Sequence, residues 1–544
     1  MNGVITATIL SDGNEMDSEY HLMSIDIIKA VNKIPLAQLI LLDGDAAKQE
    51  FKISDTEFFK LGKELEIKLR YEDNAKDEAT VFKGIILRHS VQADQNRSLL
   101  TIESKDAAFK LIPKRKSAVF RDMTDKDIIE KIIQSAGLQI ESVATNQPQH
   151  KEMVQFGCTD WDFIVSRADV NGHWVLVDDG KVTVVEPNLQ GAAQHKFEYG
   201  ISEIYDFEME ADSRFQYESV ESTAWDVKSQ DLFQPKTAPD FSLSQGNLNP
   251  GELAQSIDAD TCKLMFSGQL DEQEVEAWAK AKMVKSRLSL LKGRLTVPGL
   301  AKIKLGDIIE VAGIGKRFNG KTLVTAIRHQ VTLGGWQTNI QFGLSADWFS
   351  QNEDIIEPPV AGLIPAINGL QIGVVDKYED DPDKQFRVKV KVPSIETDGI
   401  IWARLASLDA GNERGIFFRP EEGDEVILGF VNDDPRQAVI LGAMHSEKNE
   451  LPSGLEVNQE NYRKGIVTKE SLQIILDDED KFIEISTSNG NLLRLSEQDK
   501  GIYLEDENGN TITMDDKGFK IKSDQDILIE GKTVTIKGSK VDVN

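Results

Sequence analysis

The sequence has few of the residues that build disulfide frameworks, metal centres and hydrolase sites. Its 544 residues include two cysteines, Cys158 and Cys262, which excludes a disulfide scaffold and a cysteine-rich zinc site. The seven histidines form no HExxH motif and no close pair, and the nucleophile motif G-x-S-x-G is absent. We therefore predict no catalytic residue, no metal ligand and no cofactor.

Long apolar runs are missing as well. One of the longest, residues 35–42, is far shorter than the ~18 residues that a membrane-spanning helix needs. The opening residues MNGVITATIL lack a charged region followed by an apolar stretch, so no secretory signal is predicted. We expect synthesis in the bacterial cytoplasm, and any export must use a route without a signal peptide.

Basic residues are in the minority. The chain carries 91 acidic and 62 basic side chains, a formal net charge of −29. Such a charge repels DNA, RNA and anionic membrane surfaces. Apolar residues make up 40% of the chain, which is enough for a sizeable core, and the length suggests about three to five domains.

The first region, residues 1–360, has a mixed pattern with more strand than helix. Strands are predicted at residues 64–71, 81–89 and 98–103. A capping box at Thr124, with Asp127 in place of the usual Glu, predicts a helix that ends at Gly137. Two further helices are predicted near residues 160–169 and 274–291.

The second region, residues 361–446, follows a Pro- and Gly-rich break at residues 351–370. It predicts a small closed barrel of the OB type, because five short strands fall within about 75 residues. These strands are expected at residues 372–377, 386–393, 400–406, 425–431 and 438–442. A polar linker, residues 447–470, comes next.

The last region, residues 471–544, is a repeat of short strands that each present two apolar side chains, separated by turns such as Asn508-Gly509. A single chain folded this way has almost no core. We therefore predict an intertwined β-prism, with three chains as the economical closure. The apolar pairs of this predicted trimer core are Ile474/Leu476, Ile483/Ile485, Leu493/Leu495, Ile502/Leu504, Ile512/Met514, Phe519/Ile521, Ile527/Ile529, Val534/Ile536 and Val541/Val543.

Four motifs suggest chemistry, and in each case the context favours a structural role. Residues 315–322 match G-x-x-x-x-G-K-[ST], but a β-branched segment follows where a phosphate site needs a helix. Residues 506–510 resemble a calcium loop, but Thr511 stands where the loop needs glycine. The acidic run 477–480 is interpreted as a solvated turn. The basic stripe Arg387, Lys389 and Lys391 lies in a net acidic segment, which argues against nucleic acid.

Several segments together resemble one family. The run QFGCTDWDFI at residues 155–164 is similar to a helix start of VgrG-type spike proteins. Six segments, in order, resemble that family's OB domain; they are residues 387–393, 402–404, 410–415, 420–426, 434–436 and 439–442.

This resemblance implies a mainly β fold with some α: phage-hub-like β-barrel domains in residues 1–360, an OB-fold neck, and a C-terminal triple-stranded β-helix. It also implies a homotrimeric spike and hub in a contractile injection machine. The expected partners are an inner tube protein, baseplate proteins, a PAAR-type tip protein and effector cargo. The short linker leaves no room for a lysozyme domain, and no histidine follows His445, so no metal-bearing tip is expected.

The sequence is compatible with more than one contractile system. Short spikes without extensions resemble those of extracellular phage-tail-like particles such as the antifeeding prophage and the Photorhabdus virulence cassettes. The alternatives are a type VI secretion tip, a cell-wall hydrolase associated with the spike, and a receptor-binding adhesin. Neither of the last two explains the hub-like first half.

Overall fold

The computed structural model describes residues 3–145, 148–455 and 457–543, without the side chains of residues 74, 75 and 77. They divide into two compact units, one ending at Pro358 and the other beginning at Pro359. No helix of the described residues is long and apolar enough to cross a membrane.

The first unit is built from strands, with four α-helices. Its helices are α1 (Asp125–Ser135), α2 (Asp160–Val170), α3 (Pro250–Gln255) and α4 (Glu272–Leu288). Its strands are β1 (Ile5–Ser11), β2 (Asn14–Glu15), β3 (Leu22–Ala30), β4 (Leu36–Leu42), β5 (Glu64–Tyr71), β6 (Ala79–Ala93), β7 (Ser98–Lys105), β8 (Arg115–Thr124), β9 (Gln139–Val143), β10 (Gln149–Thr159), β11 (Trp174–Asp178), β12 (Lys181–Val185), β13 (His195–Glu198), β14 (Asp206–Ala211), β15 (Ser219–Asp226), β16 (Asp231–Leu232), β17 (Lys236–Thr237), β18 (Ser244–Gln245), β19 (Thr261–Phe266), β20 (Leu291–Pro298), β21 (Ile308–Ala312), β22 (Gly320–Thr332) and β23 (Gly335–Phe342).

One large sheet organises this unit. Its strand order is β14-β20-β23-β22-β3-β4-β7-β6-β5-β1-β2, with β13, β18 and β21 attached at its β22 side. Two apolar cores lie along it, one around Ile27, Leu39 and Phe82, the other around Leu295 and Ile340. In the strands around the first core, every second side chain is buried. In β5 these residues are Leu65, Ile67 and Leu69, which is the period-2 pattern of a half-buried strand.

The predicted helices are confirmed. Thr124 caps α1: its hydroxyl accepts from the Asp127 amide at 3.2 Å, and its own amide donates to the Asp127 carboxylate at 3.0 Å. An Asp can therefore close this capping box as a Glu would. Thr159 caps α2 through its hydroxyl, which accepts from the Asp162 amide at 3.0 Å. α1 and α2 share a third apolar core with β11 and β12.

The second unit begins with a closed barrel of five strands in the order β24-β25-β26-β30-β29. The strands are β24 (Gln371–Val375), β25 (Val388–Lys391), β26 (Ile400–Leu405), β29 (Glu425–Phe430) and β30 (Ala438–Ala443), and a small hairpin, β27 (Ala410–Gly411) with β28 (Arg414–Gly415), follows β26. All five predicted barrel strands are present. The interior is filled by small and β-branched side chains, including Val390, Ala403 and Val426, as a narrow barrel requires.

The rest of the second unit is an antiparallel sheet of seven strands in sequence order. The strands are β31 (Arg463–Val467), β32 (Gln473–Asp477), β33 (Phe482–Ser486), β34 (Leu492–Ser496), β35 (Gly501–Glu505), β36 (Thr511–Asp515) and β37 (Gly518–Lys522). Turn residues Gly490 (φ 95°) and Gly509 (φ 83°) adopt the left-handed conformation that tight reversals use. In this stretch each strand pairs with its neighbour in the same chain, and the intertwining of three chains stays a prediction.

Candidate assembly interface

Two ladders of apolar side chains run across the C-terminal sheet. The register places Ile474 opposite Ile485 and Leu476 opposite Ile483, and the later strands continue both rows. Each strand contributes its two apolar residues at alternate positions, so both ladders lie on one face. The first ladder is Ile474, Ile485, Leu493, Leu504, Ile512 and Ile521; the second is Leu476, Ile483, Leu495, Ile502, Met514 and Phe519.

This apolar face is open to solvent in the single chain. Leu493, Ile502 and Ile512 are half-buried, and the other nine ladder residues are between 38% and 65% exposed. A contiguous apolar surface of this kind marks an interaction site, because exposed apolar area is costly in water. Twelve of the predicted core residues are thus brought together on one face, and none of the described residues covers them fully.

The opposite face of the same sheet is mainly polar, although it also carries Ile475 and Phe482. The Arg494 guanidinium lies 3.9 Å from the centroid of the Phe482 ring and 3.7 Å from the Glu484 carboxylate. Asp477 accepts from Arg463 Nε at 2.7 Å and from the amides of Glu479 and Asp480. These amide contacts and this ion pair, led by the amide of Asp480, hold the pKa of Asp477 below its usual range. Because one face is apolar and exposed and the other is mainly polar, the ladder face is the one that needs a partner.

The regular strands of the sheet end with β37. Residues 523–543 contain neither a strand nor a helix, although three of the predicted pairs lie there. Those six side chains, 51% to 91% exposed, are Ile527, Ile529, Val534, Ile536, Val541 and Val543. A strand needs a neighbouring strand for its hydrogen bonds, and the described part of the chain supplies none to this tail.

The motifs set aside on sequence grounds adopt structural roles. Residues 315–322 lead into strand β22 rather than a helix, and the Lys321 ammonium donates to the Gly191 carbonyl at 2.7 Å. Asp506 closes a turn by accepting from the amides of Asn508 and Asn510. Among the described residues, no group of three or more His, Cys, Asp or Glu side chains is placed to hold a metal ion.

The basic stripe of the barrel is neutralised by neighbouring carboxylates. Each member has an acidic partner: Arg387 with Asp381 at 2.6 Å, Lys389 with Glu379 at 2.5 Å, and Lys391 with Asp398 at 2.7 Å. A stripe engaged in this way offers little to a phosphate backbone, since binding would first have to displace these partners.

One polar cluster escaped the sequence analysis, because its members lie far apart in the chain. Arg167 on α2 makes a bidentate pair with Asp125 on α1, at 2.7 and 2.8 Å, and reaches Glu274 on α4 at 2.8 Å. His150 on β10 lies 3.3 Å from the Asp125 carboxylate, and Asn171 donates to it at 2.9 Å. This cluster, the Asp125 network below, ties three helices and a strand together.

Family comparisons agree with this geometry. The Alg8 N-terminal domain family matches residues 1–332, more than half of the chain. The type VI secretion system/phage-baseplate injector OB domain matches residues 371–445. The phage baseplate V C-terminal trimerisation domain matches residues 466–544, the segment that carries both ladders and the tail. The chain belongs to the Alg8 N-terminal domain family and is a VgrG-type spike protein.

The curated relatives of the chain include VgrG spike proteins. Over 377 residues the chain is 22% identical to the type VI secretion system spike protein VgrG1b of Pseudomonas aeruginosa, covering 62% of this chain and 48% of that protein. Over 99 residues it is 32% identical to the spike protein VgrG3 of Vibrio cholerae, covering 17% of this chain and 10% of that one. The chain spans about half the length of the first relative and less of the second.

Solved structures similar to this VgrG-type protein include phage tail proteins. A 43 kDa tail protein of prophage MuSo2 from Shewanella oneidensis is 12% identical, with a TM-score of 0.47, covering 63% of this chain and 99% of that one. The type VI secretion component c3393 of E. coli is 11% identical, with a TM-score of 0.40, covering 80% of this chain and 99% of that one. The strands described above, together with the OB and trimerisation domain matches, confirm the mainly β fold.

Proposed function

We propose that this VgrG-type protein is the homotrimeric central spike and hub of a contractile injection machine. The apolar face of the C-terminal sheet carries the proposal. It lies within residues matched by a trimerisation domain, and its two ladders are exposed in one chain. Three such faces turned toward a common axis would cover one another and leave the polar faces outside.

The proposed role is mechanical rather than enzymatic. Sheath contraction would drive the tube and spike forward, and the narrow trimer would concentrate force on the target envelope. The first unit would join the inner tube and baseplate proteins, and the tail would meet a PAAR-type tip protein. Effector cargo would travel with this assembly. The relatives named above are spike proteins, which supports this role over that of a hydrolase.

The solution mass tests the trimer. We expect multi-angle light scattering of the full chain to give about three times the 60.6 kDa of one chain, because the ladder face needs two more copies. A chain ended before Arg463 lacks both ladders and should form a weaker trimer. On dilution it should dissociate at a protein concentration at which the full chain remains a trimer. A well-folded monomer of the full chain at micromolar concentration would refute the homotrimer.

The proposed setting is an extracellular phage-tail-like particle. The domain order without a catalytic insertion supports it, while the names of the curated relatives favour type VI secretion. If the proposal is correct, an antibody against the chain should detect it in sheath-containing particles sedimented from cell-free culture medium. Detection only inside the producing cells would decide for the type VI alternative.

A further inference from the structure

A polar cavity of about 610 Å³ lies beside helix α4 in the first unit. Its walls are one face of α4, the segment around β17, and the residue that follows β12. Gln273, Glu276 and Lys280 stand three or four residues apart along α4, so they share the face that lines the cavity. Pro235 and Pro239 supply an apolar part of the opposite wall.

The two buried residues that line this cavity lie on the turn between α2 and β11. They are Asn171 and His173, which are 6% and 7% exposed. Between them, Gly172 has a φ of 72° and approaches α4 so closely that an added Cβ would lie 3.2 Å from the Cα atom of Ala281. The turn is thus held against the helix, and both side chains have fixed positions.

Both buried side chains keep hydrogen-bonding capacity for a ligand. The Asn171 amide donates to the Asp125 carboxylate at 2.9 Å and to the Arg167 carbonyl at 2.7 Å, so its Oδ1 atom remains as an acceptor. No described residue is hydrogen-bonded to this oxygen or to the His173 ring. Burial lowers the pKa of His173, and the neutral ring offers one donor and one acceptor. Buried polar groups without a partner are uncommon in folded proteins.

The walls of the cavity carry two cations and two anions. Lys280 pairs with Glu186 at 2.6 Å. Lys236 pairs with Glu276 at 3.6 Å and, outside the lining, with Glu272 at 2.9 Å. The four lining side chains are 28% to 60% exposed, so their charges act on a molecule in the cavity. A ligand with a single charge would meet one group of its own sign in each pair, whereas a ligand with both charges matches both members.

We propose that this cavity binds a zwitterion, either a free α-amino acid or a short peptide. Its ammonium group would donate to the wall carboxylates and to Asn171 Oδ1, and its carboxylate would accept from the two lysines and from the His173 ring. Hydrogen bonds to charged groups of this kind are the strong ones in recognition. The volume of the cavity lies in the range of about 300–1,000 Å³ that is usual for small-molecule sites.

Saturation-transfer NMR of the full chain tests the site, with glycylglycine as the probe. Titration should give a dissociation constant in the millimolar range. N-acetylglycine keeps only the carboxylate and glycinamide only the ammonium, so each should bind at least about 10-fold more weakly, as expected when a hydrogen bond to a charged group is lost. Equal binding of either half-ligand would overturn recognition of a zwitterion, and no saturation transfer to glycylglycine up to about 50 mM would overturn the site.

Lys280→Met makes the matching change in the protein. It removes one wall ammonium and keeps the length of the side chain, so glycylglycine should bind at least about 10-fold more weakly. The matched control is Lys126→Met, which removes a lysine paired with a glutamate on α1, away from the cavity, and should leave binding unchanged.

His173→Phe keeps a buried ring without its nitrogens and serves if the first variant fails to fold. It should also weaken glycylglycine binding, because the ligand carboxylate loses the donor that the ring supplies. Binding by the folded Lys280→Met or His173→Phe variant that equals binding by the unmodified chain would overturn the assignment of the zwitterion to this cavity.

Discussion

A chain that carries Ile502→Asp together with Ile512→Asp is expected to lose the trimeric spike. Ile502 belongs to the second ladder and Ile512 to the first, so the change places a charge in each. In the trimer three carboxylates would then lie in each of two neighbouring strand layers of the apolar core. An unpaired buried charge costs at least several kcal/mol. Light scattering over a dilution series should show the variant dissociating at a protein concentration at which the unmodified chain remains a trimer.

The matched control uses the other face of strand β36. Thr511→Asp with Thr513→Asp also adds two charges per chain, but these positions alternate with the ladder residues and face Lys522 and Lys520 across the sheet. This variant should remain a trimer. If the ladder variant dissociated no more readily than the unmodified chain, the apolar face would not be the trimer core; if both variants dissociated more readily, added charge alone would explain the loss.

The second large effect is expected at the Asp125 network. Asp125→Ala removes the bidentate partner of Arg167, a guanidinium whose side chain is 15% exposed. Removing one member of a buried ion pair typically costs about 3–5 kcal/mol, and the remaining pair of Arg167 with Glu274 should keep the loss near the lower end of that range. Urea unfolding, followed by the fluorescence of the nearby buried Trp161 and Trp174, should show a loss of this size.

Helix α1 supplies the control for this prediction. Asp127→Ala breaks the capping box of the same helix at a solvent-exposed position, where the expected loss is about 1 kcal/mol. Equal losses in the two variants would mean that the network contributes no more than a helix cap. A loss below about 0.5 kcal/mol for Asp125→Ala would contradict the prediction, since that is the range of ordinary surface changes.

The network also predicts a pH dependence. Burial alone would raise the pKa of Asp125, but hydrogen bonds from His150 and Arg167 and the charge of Arg167 outweigh it and hold the pKa below its usual range. A carboxyl with a depressed folded-state pKa stabilises the fold above its unfolded pKa of about 3.9 and loses that contribution as pH falls further. Between pH 4 and pH 2 the unmodified chain should therefore lose more stability than the Asp125→Ala variant.

Local patterns were readable from the sequence where one element carries its own signal. The capping box at Thr124 and the five barrel strands are such cases, because their hydrogen bonds and alternating burial follow from neighbouring residues. The apolar pairs from Ile474 to Phe519 were recognised because their spacing exposes one face of a strand. That these pairs belong to one buried trimer core remains a prediction.

Pairings between distant segments were not readable. The sequence repeat fits either strands that pair within a chain or strands that wind between chains, since both present the same two apolar positions. For residues 463–522 the structure shows pairing within the chain. Likewise, Asp125, Arg167 and Glu274 meet only through helix packing.

The number of strands in the meander of β31 to β37 sets the length of the spike. Each hydrogen-bonded strand extends a sheet by about 4.8 Å, so inserting one hairpin, such as the 19 residues from Ile474 to Leu492, would lengthen it by about 10 Å. A whole hairpin keeps both ladders continuous and returns the chain to the same edge. A single added strand would reverse the direction in which the chain leaves the sheet, so the tail would begin on the opposite side. The spike can therefore change in length without moving the tail only by pairs of strands.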